Sequence, residues 1–153
     1  MQESQKIVGT MIFDVIRNGE VIDSREIKNL IVTAGKAGMA SRLNGSGGEA
    51  AFTYLAVGIG TGAAAAGDTT LGSEITDSGL ARAAATVSRV TTTVTNDTAR
   101  LVYSWTVSGT KAVTEAGAFN ASSAGTLLGR QVFSAINVES GDTLQLTYDF
   151  AIS

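Results

Sequence analysis

From Thr143 to Ile152 the chain alternates without a break. Leu144, Leu146, Tyr148, Phe150 and Ile152 share one phase, and Thr143, Gln145, Thr147, Asp149 and Ala151 share the other. A period of two over that length belongs to a β-strand with one face in a core and the other in water. Two shorter extended runs precede it, Val113–Phe119 and Thr126–Ser134, and the turn formers of Ser122–Gly125 and Glu139–Asp142 separate the three. The C-terminal stretch Lys111–Ile152 therefore predicts three successive strands joined by tight turns, and the residues upstream must supply their sheet partners.

Ile7–Arg17 is a strand whose two faces are both apolar (Ile7, Met11, Phe13, Val15 against Val8, Ile12, Ile16), which predicts cover on both sides. Asn18-Gly19 follows; this pair suits a type I′ hairpin turn, in which both central residues need positive φ. The returning run Glu20–Lys28 is strongly polar and reads as an exposed edge or an arm, where charge discourages stray pairing. Thr33 is placed to cap a short helix over Ala34–Leu43 that Asn44-Gly45 ends, although Gly35 and Gly38 weaken it by roughly 1 kcal/mol each. Phe52–Gly58 is a strand, Asp68 could cap one helical turn through Leu71, and the segment to Gly79 reads as an ordered surface loop.

Ala81–Thr95 reads as one long strand with a bulge near Ser88-Arg89, because Val87 is out of phase with Val90, Thr92 and Val94. A two-residue turn at Asn96-Asp97 leads into Thr98–Ser108, making Val87–Val107 the longest expected hairpin, with Trp105 as a core anchor. About eight short strands and one short helix predict an all-β, single-domain antiparallel β-sandwich, jelly-roll-like. Residues 1–28 are expected as a strand and hairpin arm packed on, or extending from, a sandwich formed by residues 29–153.

The chain has 153 residues, enough for one domain that buries roughly two-thirds of its unfolded surface. It contains no cysteine and no histidine. Disulfides, thiolate metal sites and every histidine-based triad or zinc motif are thereby excluded, and catalysis would fall to carboxylates, Lys, Tyr or a hard metal. No catalytic residue, cofactor or metal is expected. The formal net charge of −3 argues against nucleic acid as a partner. No apolar run of about 18 residues is present to span a membrane, and MQESQKIVGT lacks the basic and apolar regions of a secretory signal, so a soluble protein made inside the cell is expected.

Three motifs invite a chemical reading. Gly58-Ile-Gly60-Thr-Gly62 follows a strand like a phosphate-binding loop, but AAAAGD comes next, with neither Lys nor a helix start; a tight bend with close backbone packing fits better. Glu115 and Asp149 could be paired for glycoside cleavage. Glu115, however, shares a phase with Val113 and Phe119, so a carboxylate bonded to backbone amides or to an arginine such as Arg130 is expected. Asp68, Glu74 and Asp77 lack the spacing of a calcium loop and are expected as solvated carboxylates.

Several of these segments together resemble small structural proteins of tailed bacteriophages: Thr53-Tyr-Leu-Ala-Val-Gly-Ile-Gly-Thr-Gly62, Gly67-Asp-Thr-Thr-Leu-Gly72, Thr114-Glu-Ala-Gly-Ala-Phe-Asn120, Leu127-Leu-Gly-Arg130, Val132-Phe-Ser134 and Gly141-Asp-Thr-Leu144. The resemblance runs from about Asn29 to Ile152; Gly129 departs from it, standing where a residue such as Ala would be expected. It implies a virion protein, first of all a capsid decoration (cement) protein that binds the major capsid protein as a homotrimer. A tail, fibre or baseplate component that binds a host surface is the alternative. In either role the hairpin residues Asn18, Gly19, Glu20, Asp23, Arg25, Glu26 and Lys28 are the expected assembly contacts, with the loop Gly60–Gly79 as a second surface. Deleting Met1–Lys28 is expected to leave a folded protein that no longer joins the particle.

Overall fold

A computed structural model describes residues 4–153. Two antiparallel five-stranded sheets pack face to face. One has the order β2-β1-β10-β7-β6 and the other β3-β9-β8-β4-β5. The strands are β1 (Ile7–Arg17), β2 (Glu20–Lys28), β3 (Leu30–Ile31), β4 (Tyr54–Gly58), β5 (Ala83–Ala84), β6 (Thr86–Val90), β7 (Thr98–Thr106), β8 (Lys111–Phe119), β9 (Leu127–Val138) and β10 (Thr143–Ile152), with one helix, α1 (Thr33–Asn44). This is the expected all-β sandwich.

The closing strand β10 is at the centre of the first sheet, between β1 and β7. Leu144, Leu146, Tyr148 and Phe150 are buried as the alternation requires, whereas Ile152 is 58% exposed where the strand runs out of core. The three C-terminal strands form, but only β8 and β9 pair as a hairpin; the turn after Val138 carries the chain across to the other sheet. Trp105 is buried and its indole Nε1 donates to the Ala81 carbonyl at 2.8 Å, which satisfies the one polar atom of a core ring.

The hairpin β1–β2 turns at Asn18 (φ 52°) and Gly19 (φ 78°), as the turn chemistry demands. β1 is not an appendage. It pairs with β10 from Ile7 opposite Ile152 to Ile16 opposite Thr143, and Met11, Phe13 and Val15 are fully buried in the shared core. Its second apolar face (Val8, Ile12, Ile16) is only partly shielded, so cover on one side, not two, is what this strand has.

Ala81–Thr95 departs most from expectation. The chain leaves β5 in one sheet, passes through Ala85 alone, and enters β6 in the other. The phase slip at Val87 comes from this change of sheet; β6 pairs with β7 in unbroken register, and no bulge occurs at Ser88-Arg89. The β6–β7 hairpin is consequently short. Its connection is a seven-residue loop, not a two-residue turn, in which the Asp97 carboxylate accepts from the amides of Thr92, Thr93 and Val94, each at 2.8 Å. A second one-residue crossing, at Asn29, joins β2 to β3 on the opposite edge of the sandwich.

Helix α1 starts without help from Thr33. Val32 holds the N-cap position, and no side chain caps it. Gly45 ends it in the left-handed conformation. Gly35 and Gly38 weaken the helix locally but let it lie against β9: a Cβ on Gly35 would be 2.1 Å from the Leu128 carbonyl oxygen. The expected helical turn after Asp68 is absent, and Leu71 and Ile75 turn inward, so the loop to Gly79 is part of the core as well as of the surface.

Candidate assembly surface

All seven hairpin residues singled out from the sequence are on or beside β2, the outermost strand of the first sheet. They divide into two roles. Asn18, Gly19 and Glu20 form an exposed tip, continued by Val21 and Ile22, which are 57% and 48% exposed. Asp23 and Arg25 instead build a clamp. The Arg25 guanidinium pairs with Asp23 at 3.0 Å and donates to the backbone carbonyls of Ser134 (2.7 Å) and Ala135 (3.0 Å) on β9, tying the edge of one sheet to the other. Glu26 and Lys28 form an exposed pair at 3.3 Å, with Lys28 also donating to the Thr10 hydroxyl. At the tip end, Arg17 holds Asp142 through two bonds of 2.8 Å. That bonding, with the Glu139 amide, keeps the Asp142 carboxyl below its usual range. The hairpin is thus stiffened at three places while its tip and its outer backbone edge face solvent.

The second surface, the loop Gly60–Gly79, is organised from inside. Glu115 on β8 has no exposed surface, and its carboxylate collects three backbone amides: Gly60 at 2.9 Å, Ser73 at 2.7 Å and Gly72 at 2.8 Å. Arg130 on β9 completes the shell with Nε at 2.9 Å and Nη2 at 2.8 Å. Arg130 also donates to Asp68 at 2.7 Å and to the Gly62 carbonyl at 3.0 Å. Burial pushes the Glu115 carboxyl up, but the Ser73 and Gly72 amides, Arg130 and the Gly60 amide outweigh it and the net direction is down. Asp68 is likewise lowered, first by the Ala65 amide and then, against burial, by Arg130.

This network accounts for the glycine motif. A Cβ on Gly58 or Gly60 would come within 2.4 Å of Glu115 Oε1, so these positions are empty of side chains because a buried carboxylate occupies the space. The segments around Gly58–Gly62, Gly67–Gly72, Glu115 and Arg130 converge here. Gly129 leaves no room for a side chain: a Cβ there would be 2.3 Å from Asn29 Nδ2 and 3.0 Å from the Tyr148 hydroxyl.

The carboxylates weighed for chemistry are engaged elsewhere. Glu115 and Asp149 are on different sheets, and Asp149 is held by Arg100 through two bonds of 2.8 Å. Asp68, Glu74 and Asp77 were expected as solvated groups; Asp77 is exposed, with Lys111 beside it, whereas Asp68 and Glu74 are half-buried and held by Arg130 and Arg82 respectively. Among the described residues no three carboxylates gather as a metal site would require.

One surface had no signal in the sequence. At the end of the sandwich away from the hairpin tip, a groove of about 870 Å³ opens between α1 and the ends of β1 and β10, walled by Ile7, Met39, Phe52, Leu128, Phe150 and Ile152. Its residues come from six separate stretches of chain, so only the fold brings them together. Comparison with family models, curated proteins and solved structures gives no match.

Proposed function

We propose that this chain is a structural protein of a tailed-phage virion, first of all a capsid decoration protein that joins major capsid subunits and acts as a homotrimer. The observation that carries the reading is the placement of the polar hairpin. β2 is an edge strand of nine residues whose outer backbone groups are unpaired by any neighbouring strand, and Arg25 and Arg17 hold it in a fixed pose. An edge strand of this kind adds to a partner's sheet through backbone hydrogen bonds, with its charges setting the register. Each contact is small, and repetition over many copies on a shell makes the sum large.

The resemblance in the Gly58–Gly62 and Glu115–Arg130 segments supports the same reading, because those residues build a rigid second surface. Antibody–gold labelling of intact particles from the source lysate tests it. Dense label over heads is the expected result. Label confined to tails replaces decoration by a tail, fibre or baseplate role, and unlabelled particles overturn the virion reading.

A further inference from the structure

The charges left over after ion pairing are not scattered. Of the eleven lysines and arginines, only Lys6, Lys36, Arg42 and Arg89 make no ion pair with a described carboxylate. Three of the four, Lys6, Lys36 and Arg42, line the apolar groove beside α1, and no carboxylate of the described residues lines it. Leu43, 90% exposed, and Ile152 add unburied apolar surface at its mouth. In a chain of net charge −3 this is a local reversal of sign.

The complement is on the same chain. Of the described carboxylates without an ion pair, Asp97 is consumed by loop amides and Glu49 is packed against the end of α1, where its backbone carbonyl accepts from Arg42 at 3.3 Å; the other two, Asp14 and Glu20, are on the hairpin. Glu20 leads directly into the exposed Val21 and Ile22. An acidic, apolar tip and a basic, apolar groove thus terminate opposite ends of one strand: Ile7 of β1 is in the groove and Arg17 is at the tip. Eleven residues at about 3.3 Å each separate the two, and a paired strand cannot bend back on itself over that length.

We propose that the occupant of the groove is the hairpin tip of a second copy of this chain, with Val21 and Ile22 entering the apolar floor and Glu20 meeting the Lys36 and Arg42 rim. The contact joins unlike surfaces. It therefore propagates head to tail and closes as a ring or continues as a filament. It does not depend on the virion reading, and a head, a tail or a cellular scaffold could each use it.

Mixing experiments on the full chain test it. By sedimentation, the wild type is expected to self-associate, and Glu20→Lys or Lys36→Glu each to weaken association by on the order of tenfold. Equal mixing of the two pairs opposite charges at every junction between unlike chains and is expected to recover an alternating assembly, as is the double variant in one chain. Because the chain has no cysteine, Ile22→Cys and Ala40→Cys give a second readout: mixed, they form a disulfide-linked dimer on oxidation, and neither crosslinks alone. A monomeric wild type overturns the proposal, as does crosslinking of Ile22→Cys to itself. Equal association of the charge variants and wild type also overturns it.

Discussion

Arg130 meets Glu115 between β8 and β9, and the pair has more partners on the carboxylate side than on the cation's: Glu115 also takes three backbone amides, from Gly60, Gly72 and Ser73. The two residues should therefore not be equivalent on removal. Glu115→Ala leaves three amides without their acceptor and takes from the buried Arg130 one of its two carboxylates, and is expected to cost about 3–5 kcal/mol. Arg130→Ala leaves Glu115 its amides and is expected to cost about 2 kcal/mol. Urea unfolding of both variants checks the order; a larger loss for Arg130→Ala would contradict it.

The same carboxylates set the acid limit. Glu115, Asp68 and Asp142 all have lowered values in the fold, so each stabilises the native state when ionised. That contribution is complete above the ordinary carboxylate values of 4.5 for Glu and 3.8 for Asp, and it is lost as pH falls through the lower folded values. Stability is expected to be level near neutrality and to drop below about pH 4.5. Glu115→Gln should start lower and show a shallower acid limb. Urea midpoints measured from pH 7 to pH 3 give both slopes.

The glycine motif predicts a contrast within five residues. A methyl at Gly60 would meet the Glu115 carboxylate, whereas at Gly62 nothing is within 4 Å. Gly60→Ala is expected to destabilise by about 2 kcal/mol and Gly62→Ala to stay within about 0.5 kcal/mol of wild type. A phosphate-cradling loop would show no such dependence on Glu115, so repeating Gly60→Ala in a Glu115→Ala background should remove most of its cost. Thermal unfolding of wild type and these four variants measures this.

Removing residues 1–28 is expected to abolish the fold, contrary to what the polar hairpin suggests in isolation. Met11, Phe13 and Val15 go with it, each contributing roughly 1.5–3 kcal/mol of burial, against a typical total stability of about 5–15 kcal/mol. β10 would also lose its β1 partner along the whole paired length. Near-ultraviolet circular dichroism of the truncated chain should lack the signal that buried Trp105 and Tyr148 give the wild type. Cooperative unfolding of the truncated protein would refute this.

Where local chemistry decides structure, the sequence could be read directly. The alternation of Thr143–Ile152, the Asn18-Gly19 turn and the inward phase of Glu115 each state their outcome within a few residues. Long-range partnership left weaker marks. Ala85 looks like an interior strand residue because a change of sheet and a bulge shift the phase identically. The polarity of Glu20–Lys28 reports that β2 is an edge but not that β1 beside it is an interior strand. Half of the proposed contact, the tip, could be read as a polar hairpin. The groove could not, because Lys6, Lys36 and Arg42 become neighbours only through the sandwich and helix.

The two crossings at Asn29 and Ala85 have a mechanical consequence. Each long margin of the sandwich is sewn by a single residue of backbone, one linking β2 to β3 and the other β5 to β6. Separating the sheets face from face would strain covalent chain on both sides at once, and Arg25 adds a third stitch beside the first. A load applied through the hairpin tip is therefore carried in shear along the full β1–β10 ladder and cannot open the two layers like a book.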